Sequence, residues 1–147
     1  MVVNEMINVD EELIKLKSFI KENCLPEWRD LIPTFENAYI KLVNAIRRGR
    51  GGYFYKSFAL ELGLIYNDDE IDGMAGNNRS DLGDILGTLS EFEVKNGRPM
   101  ISAIVVSKKT GKPSKPFFNF ARDLGFDFNS EEQFLKDTWK ELRKTWF

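Results

Sequence analysis

At 147 residues, with 42% hydrophobic and 30% charged side chains and a net charge of −2, the chain suits one globular domain spanning residues 1–147. It has no histidine and one cysteine, Cys24, which excludes His-based triads, His general bases, an internal disulfide and most zinc or iron sites. Any metal would be a hard ion such as magnesium or manganese on carboxylates, and with no apolar run near eighteen residues and no signal-like segment the expectation is a cytoplasmic protein without a membrane span.

Asp10 can cap a first helix in which Leu13, Leu16 and Ile20 form a stripe that ends by Asn23. A linker over 26–33 carries Trp28 as an anchor. Thr34 opens a second helix with Phe35, Ala38, Tyr39, Leu42 and Ile46 at helical spacing, stopped by Gly49. Its last turn holds Arg47 and Arg48, which suit the negative end of the macrodipole. The loop Gly49-Arg50-Gly51-Gly52 leads into a third predicted helix over 53–62, with Gly63 at its C′ position. Residues 64–66 read as a short strand and 67–78 as an acidic loop.

A capped amphipathic helix is predicted over 81–95, because Leu82, Ile85, Leu86, Leu89 and Phe92 fall on one stripe. A turn at Asn96-Gly97 precedes the apolar run 100–106, read as a strand. The basic turn 107–113 follows, then a helix led by Pro116 and stopped by Gly125. In the final helix Ser130 and Gln133 form a capping box, and Leu135, Trp139, Leu142 and Trp146 make the apolar face. The sum is a mostly helical α+β domain with a small sheet containing residues 100–106. A lone strand leaves its ladder groups unpaired, so a partner is required: 64–66, an extended 117–120, or a second subunit in a homodimer.

Charge is distributed unevenly. Residues 94–122 contain no acid, while Lys95, Arg98, Lys108, Lys109, Lys112, Lys115 and Arg122 give +7, leaving −9 for the rest of the chain. Focused positive charge attracts anions even on a slightly acidic protein. The expected ligand-binding set is therefore Lys108, Lys109, Lys112 and Lys115, with Arg98, Ser102, Arg47, Arg48 and Arg50 in support.

Other motifs compete with this reading. Residues 49–57 end in Lys56-Ser57 like a phosphate loop, but Tyr55 stands where that motif needs glycine. Asp68, Glu70, Asp72 and Gly73 imitate the start of an EF-hand, yet the twelfth place is Arg79. Asp84, Glu91, Glu93 and Lys95 have the residue types of a magnesium- or manganese-dependent nuclease, which is the enzymatic alternative. Gly83 and Gly87, one turn apart, imply close packing of a neighbouring backbone. Ser102 can bond a nearby backbone group, or join Arg98 and Glu91 in a polar pocket. Helix, strand and basic turn resemble the recognition helix and wing of a winged helix-turn-helix domain, although Asp81, Asp84 and Glu91 would repel a duplex.

The pattern Leu82-Gly83, Gly97-Arg98-Pro99, Ile101-Ser102-Ala103-Ile104-Val105-Val106, Lys109-Thr110-Gly111-Lys112-Pro113 and Phe117-Phe118 resembles a segment of uncharacterised bacterial and phage proteins. It spans about a quarter of the chain, with a weaker likeness through the final helix. No activity is established for those proteins, so the resemblance implies a bacterial or phage origin and a shared fold element. Where such sequences often have glycine after the proline, this chain has Ser114-Lys115, a more basic turn. The functional expectation is a non-catalytic binding protein for an anionic ligand, a nucleic acid or a small nucleotide, sequestering a nucleotide signal or regulating DNA. An adaptor acting through exposed aromatics at Trp146 and Phe147 is a third class.

Overall fold

The computed structural model describes residues 6–24, 26–49, 51–64 and 76–147, with the side chains of 76–80 outside that description. Within it, helices α1 (Val9–Asn23), α2 (Ile32–Arg47), α3 (Tyr55–Glu61), α4 (Gly76–Lys95), α5 (Lys115–Asp123) and α6 (Glu131–Trp146) accompany strands β1 (Tyr53–Phe54) and β2 (Val105–Val106). The protein is thus mostly helical with a small two-stranded sheet. No helix among the described residues is long and apolar enough to cross a membrane. Arg50, the predicted strand at 64–66 beyond Leu64, the EF-hand-like acids at 68–72 and the Arg79 side chain lie outside the described residues.

Helix α2 is the centre of the core because its stripe is apolar enough to be enclosed on several sides: Phe35, Ala38, Tyr39, Leu42 and Val43 are fully buried. Helices α1, α4 and α6 and the short 3-10 turn Ile101–Ile104 all pack against it. It begins at Ile32, with Pro33 in its first turn, two residues ahead of the expected Thr34. The linker before it is a 3-10 helix, Pro26–Leu31, and Trp28 anchors it edge-on to Phe35 at 5.9 Å. Asn8 rather than Asp10 caps α1, accepting from Glu11 N at 3.2 Å. Ser130 caps α6 as predicted, accepting from Gln133 N at 3.1 Å, while the Gln133 amide turns forward to Asp137 instead of back to the cap.

The stripe on α4 is buried as expected, from Leu82 through Phe92, and the helix starts earlier than predicted, at Gly76. The apolar run 100–106 is corrected: only Val105 and Val106 are strand, and Ile101–Ile104 is a 3-10 turn. A short apolar run is equally compatible with a buried turn, and here side chains take over the role of a ladder. Ser102 N donates to Ser90 Oγ at 3.1 Å, and Ala103 O accepts from Trp139 Nε1 at 2.8 Å. Backbone groups that a strand would have left open are thereby satisfied.

The partner of β2 is none of the three expected. It is β1, parallel, with Tyr53 opposite Val105 and Phe54 opposite Val106. The predicted third helix includes these two residues, whereas the helix starts at Tyr55. Gly52 makes the pairing feasible, since a Cβ there would lie 1.6 Å from Ile104 O. Among the described residues the sheet is this parallel pair, so the basic turn runs from β2 into α5 and does not join two antiparallel strands of a wing. Close backbone packing at Gly83 and Gly87 is also corrected: a Cβ at Gly83 would meet nothing within 4 Å, and one at Gly87 only Phe120 Cε2 at 3.8 Å.

Candidate functional site

The cations of the acid-free stretch do not converge. Asn96 and Gly97, the latter with φ of +75°, reverse the chain after α4, and Arg98 is carried back under that helix. There its Nε donates to Glu93 Oε2 at 2.8 Å and its Nη2 to Glu93 Oε1 at 3.0 Å. The same Nη2 lies 2.6 Å from Glu12 Oε1 on α1, a charge contact without hydrogen-bond alignment. Tyr39 Oη on α2 donates to Glu93 Oε1 at 2.6 Å. Burial pushes the Glu93 carboxyl up from its ordinary value, against the opposing pull of Arg98 and Tyr39. Burial and the neighbouring Glu93 carboxylate likewise raise the Tyr39 phenol. One guanidinium thus sits between two buried carboxylates, so Arg98 is engaged as a strut of the core.

Several other predicted cations are also engaged. Arg47 donates through Nε to Trp146 O at 3.1 Å and through Nη2 to Ile7 O at 2.6 Å, tying both ends of the described chain to α2. Lys95 lies 5.0 Å from the Phe19 ring centroid and 3.7 Å from Glu91, Lys115 lies 3.2 Å from Glu131, and Arg122 stacks over Phe128 at 4.1 Å. Trp146 is fully buried while Phe147 is exposed, so the contiguous aromatic patch needed by an adaptor is missing from that end.

The nuclease set is likewise divided. Nine residues separate Asp84 from Glu93, half a turn out of phase on α4, which puts Glu93 in the core and Asp84 outside. No group of three or more metal-ligating acids or cysteines forms among the described residues. Ser102 meets the second of its two expectations in part, while the partner of its hydroxyl is a side chain and not a backbone group. Its hydroxyl lies 2.7 Å from Ser90 Oγ, and it also lines a groove of about 500 Å³ with Asp84 and Glu91, from which Arg98 is absent.

What remains for an anion is the basic turn itself. Lys108, Lys109 and Lys112 are exposed and pair with no carboxylate among the described residues. The turn is closed by its own hydrogen bonds: Ser107 N to Lys112 O and Gly111 N to Ser107 O, both 2.8 Å, with Thr110 Oγ1 accepting from Lys112 N at 3.2 Å. Gly111, at φ of +69°, permits that closure. Three ammonium groups are therefore carried on a preformed loop.

Parallel pairing of β1 and β2 brings this turn beside the glycine-rich loop. Between them lies a groove of about 380 Å³, lined by Gly49, Gly51 and Gly52 on one side and Val106 and Gly111 on another. Trp139, Leu142 and Arg143 of α6 supply a third wall, with Ile46 and Ile104 at its base. Trp139 is fixed by its bond to Ala103 O, so its ring is a rigid wall. Sequence alone does not single out Arg143 and Trp139 as groove-lining residues, because each has a local explanation, one as a helix-end cation and the other as part of an apolar face.

No family model, curated protein or solved structure matches this chain. The geometry of the groove and the turn therefore carries the functional reading by itself.

Proposed function

We propose that the protein is a non-catalytic binder of a phosphate-bearing ligand of the nucleotide class, free or within a single strand, in the groove between Gly49, Gly51 and Gly52 and the basic turn. The single observation that carries this reading is the turn with Lys108, Lys109 and Lys112 unneutralised by any described carboxylate, set against a groove with an apolar base. Aromatic and aliphatic surface from Trp139, Ile46 and Ile104 suits a base or sugar face. Arg143, the turn lysines and the side-chain-free backbone at Gly49 and Gly51 suit phosphate oxygens. A groove of about 380 Å³ matches the volume of a small-ligand site, and the acidic residues on α4 disfavour a recognition helix.

Titration with ATP and with a short oligothymidylate, followed by tryptophan fluorescence, tests the proposal. Saturable binding that weakens when Lys108, Lys109 and Lys112 are replaced by alanine is expected. Salt separates the two forms of ligand, because a strand held by several lysines dissociates steeply with added salt and an enclosed nucleotide much less so. Absence of saturable binding to either probe at low ionic strength overturns the reading.

A further inference from the structure

The larger groove, about 500 Å³, shares no lining residue with the first and has the opposite electrostatic character. It opens between α4 and α5, with Tyr55, Phe117 and Phe120 as aromatic walls and Met100 and Leu86 deeper in. Helix α4 contributes Asp84 and Glu91, while no lysine or arginine among the described residues lines it. Among the described residues the one ion pair to either acid is that of Lys95 with Glu91, 3.7 Å apart and exposed, which water and salt weaken. Burial and the nearby Asp81 push the Asp84 carboxyl up from its ordinary value, a penalty that an adjacent cation relieves.

The two glycines of α4 point the same way. Each costs a helix interior about 1 kcal/mol relative to alanine. Close packing usually explains such a residue, but added Cβ atoms at Gly83 and Gly87 would meet nothing nearer than 3.8 Å. The fold has room for methyl groups there, and both positions line the groove. What the missing side chain at Gly83 keeps open is the space beside α4, whereas at Gly87 the Phe120 ring already stands at contact distance from where a Cβ would lie.

We infer that this groove is a binding site for an organic ammonium ion with an apolar body. The body lies over the bare backbone of Gly83 with Phe117 and Phe120 as flanking walls, and the nitrogen is held at Asp84, with Glu91 about two turns further along α4 adding to the negative field. An ammonium bound among aromatic faces and carboxylates gains from both the ring quadrupoles and the charge pair.

Three probes of similar size and different charge decide it: phenethylammonium, 2-phenylethanol and phenylacetate, titrated into the full chain by NMR or calorimetry. Phenethylammonium is expected to bind most tightly, 2-phenylethanol more weakly and phenylacetate least. Asp84→Asn should weaken phenethylammonium roughly tenfold, the loss of one charge-assisted contact. The double variant Gly83→Ala, Gly87→Ala should raise the melting temperature while weakening phenethylammonium, a combination that a packing role for the glycines does not produce. Lys112→Ala should leave it unchanged. Equal binding of the three probes, no binding of any, unaltered affinity in the double variant, or a lowered melting temperature in that variant would each overturn the inference.

Discussion

Arg98 and Glu93 close a two-pronged ion pair in the core, Nε to Oε2 at 2.8 Å and Nη2 to Oε1 at 3.0 Å, with Glu93 wholly shielded from solvent. Five residues apart in sequence, they face each other because the glycine turn folds the chain back, and Arg98 N also reaches Glu93 O at 2.9 Å. The pair joins three helices, since Tyr39 comes from α2 and Glu12 from α1. Arg98 further stacks 5.6 Å from the rings of Phe92 and Trp146.

Removing the guanidinium strands two buried carboxylates. Arg98→Met is expected to destabilise by about 3–5 kcal/mol, the usual consequence of breaking a buried pair from one side. Combining it with Glu93→Gln should cost less than the two single changes together, with a coupling of about 0.5–3 kcal/mol in urea unfolding. Strict additivity would show that the two groups do not act as a unit.

The same cluster sets a pH dependence. Burial raises the folded-state pKa of Glu93 above its ordinary 4.5, so the folded state holds that proton more tightly than the unfolded chain does. The resulting stabilisation is fully present below about pH 4.5 and is lost as pH rises through the raised value. Glu93→Gln has no such proton to lose. The stability of the native protein relative to this variant should therefore fall as pH is raised from 4.5. A relative stability that climbs over that interval contradicts the assignment, and thermal unfolding of both proteins in a common buffer series measures it.

The features legible in the sequence were those written locally. The α4 stripe from Leu82 to Phe92 and the Ser130 cap follow from helical spacing and from a side chain beside its own helix end. Residues 100–106 depart from the expected strand because their backbone partners, Ser90 Oγ and Trp139 Nε1, come from other elements. A two-residue strand such as β1 is too short to display any period. Counting charge along 94–122 missed Glu12, far upstream yet 2.6 Å from Arg98 in space. The meeting of Gly51 and Gly52 with the basic turn has one local trace, the glycine at position 52, and its meaning depends on knowing that Ile104 lies against it.

That contact separates two adjacent glycines sharply. Gly52→Ala would drive a Cβ to 1.6 Å from Ile104 O, which only a backbone shift can relieve, whereas at Gly51 a Cβ meets nothing within 4 Å. The first substitution is expected to destabilise by about 3 kcal/mol or more and to part β1 from β2. Gly51→Ala should stay within about 0.5 kcal/mol of the native protein. Chemical denaturation of the two variants side by side is the measurement, and equal stabilities would refute the close approach.

The basic turn offers a test in which stability and binding come apart. Lys108, Lys109 and Lys112 are exposed and hold no described partner, so replacing all three with alanine should leave unfolding free energy unchanged to within about 0.5 kcal/mol. If a single strand is the ligand, each lysine on a phosphate contributes about 0.7 to the slope of log affinity against log salt, so the triple variant should lose about 2 from that slope. Lys115 provides the internal comparison, because its ammonium is 3.2 Å from Glu131 and already partly neutralised. Lys115→Ala should change the slope far less than any one turn lysine does. A uniform effect of all four lysines would mean that the strand senses only net charge and that the turn has no special place in binding.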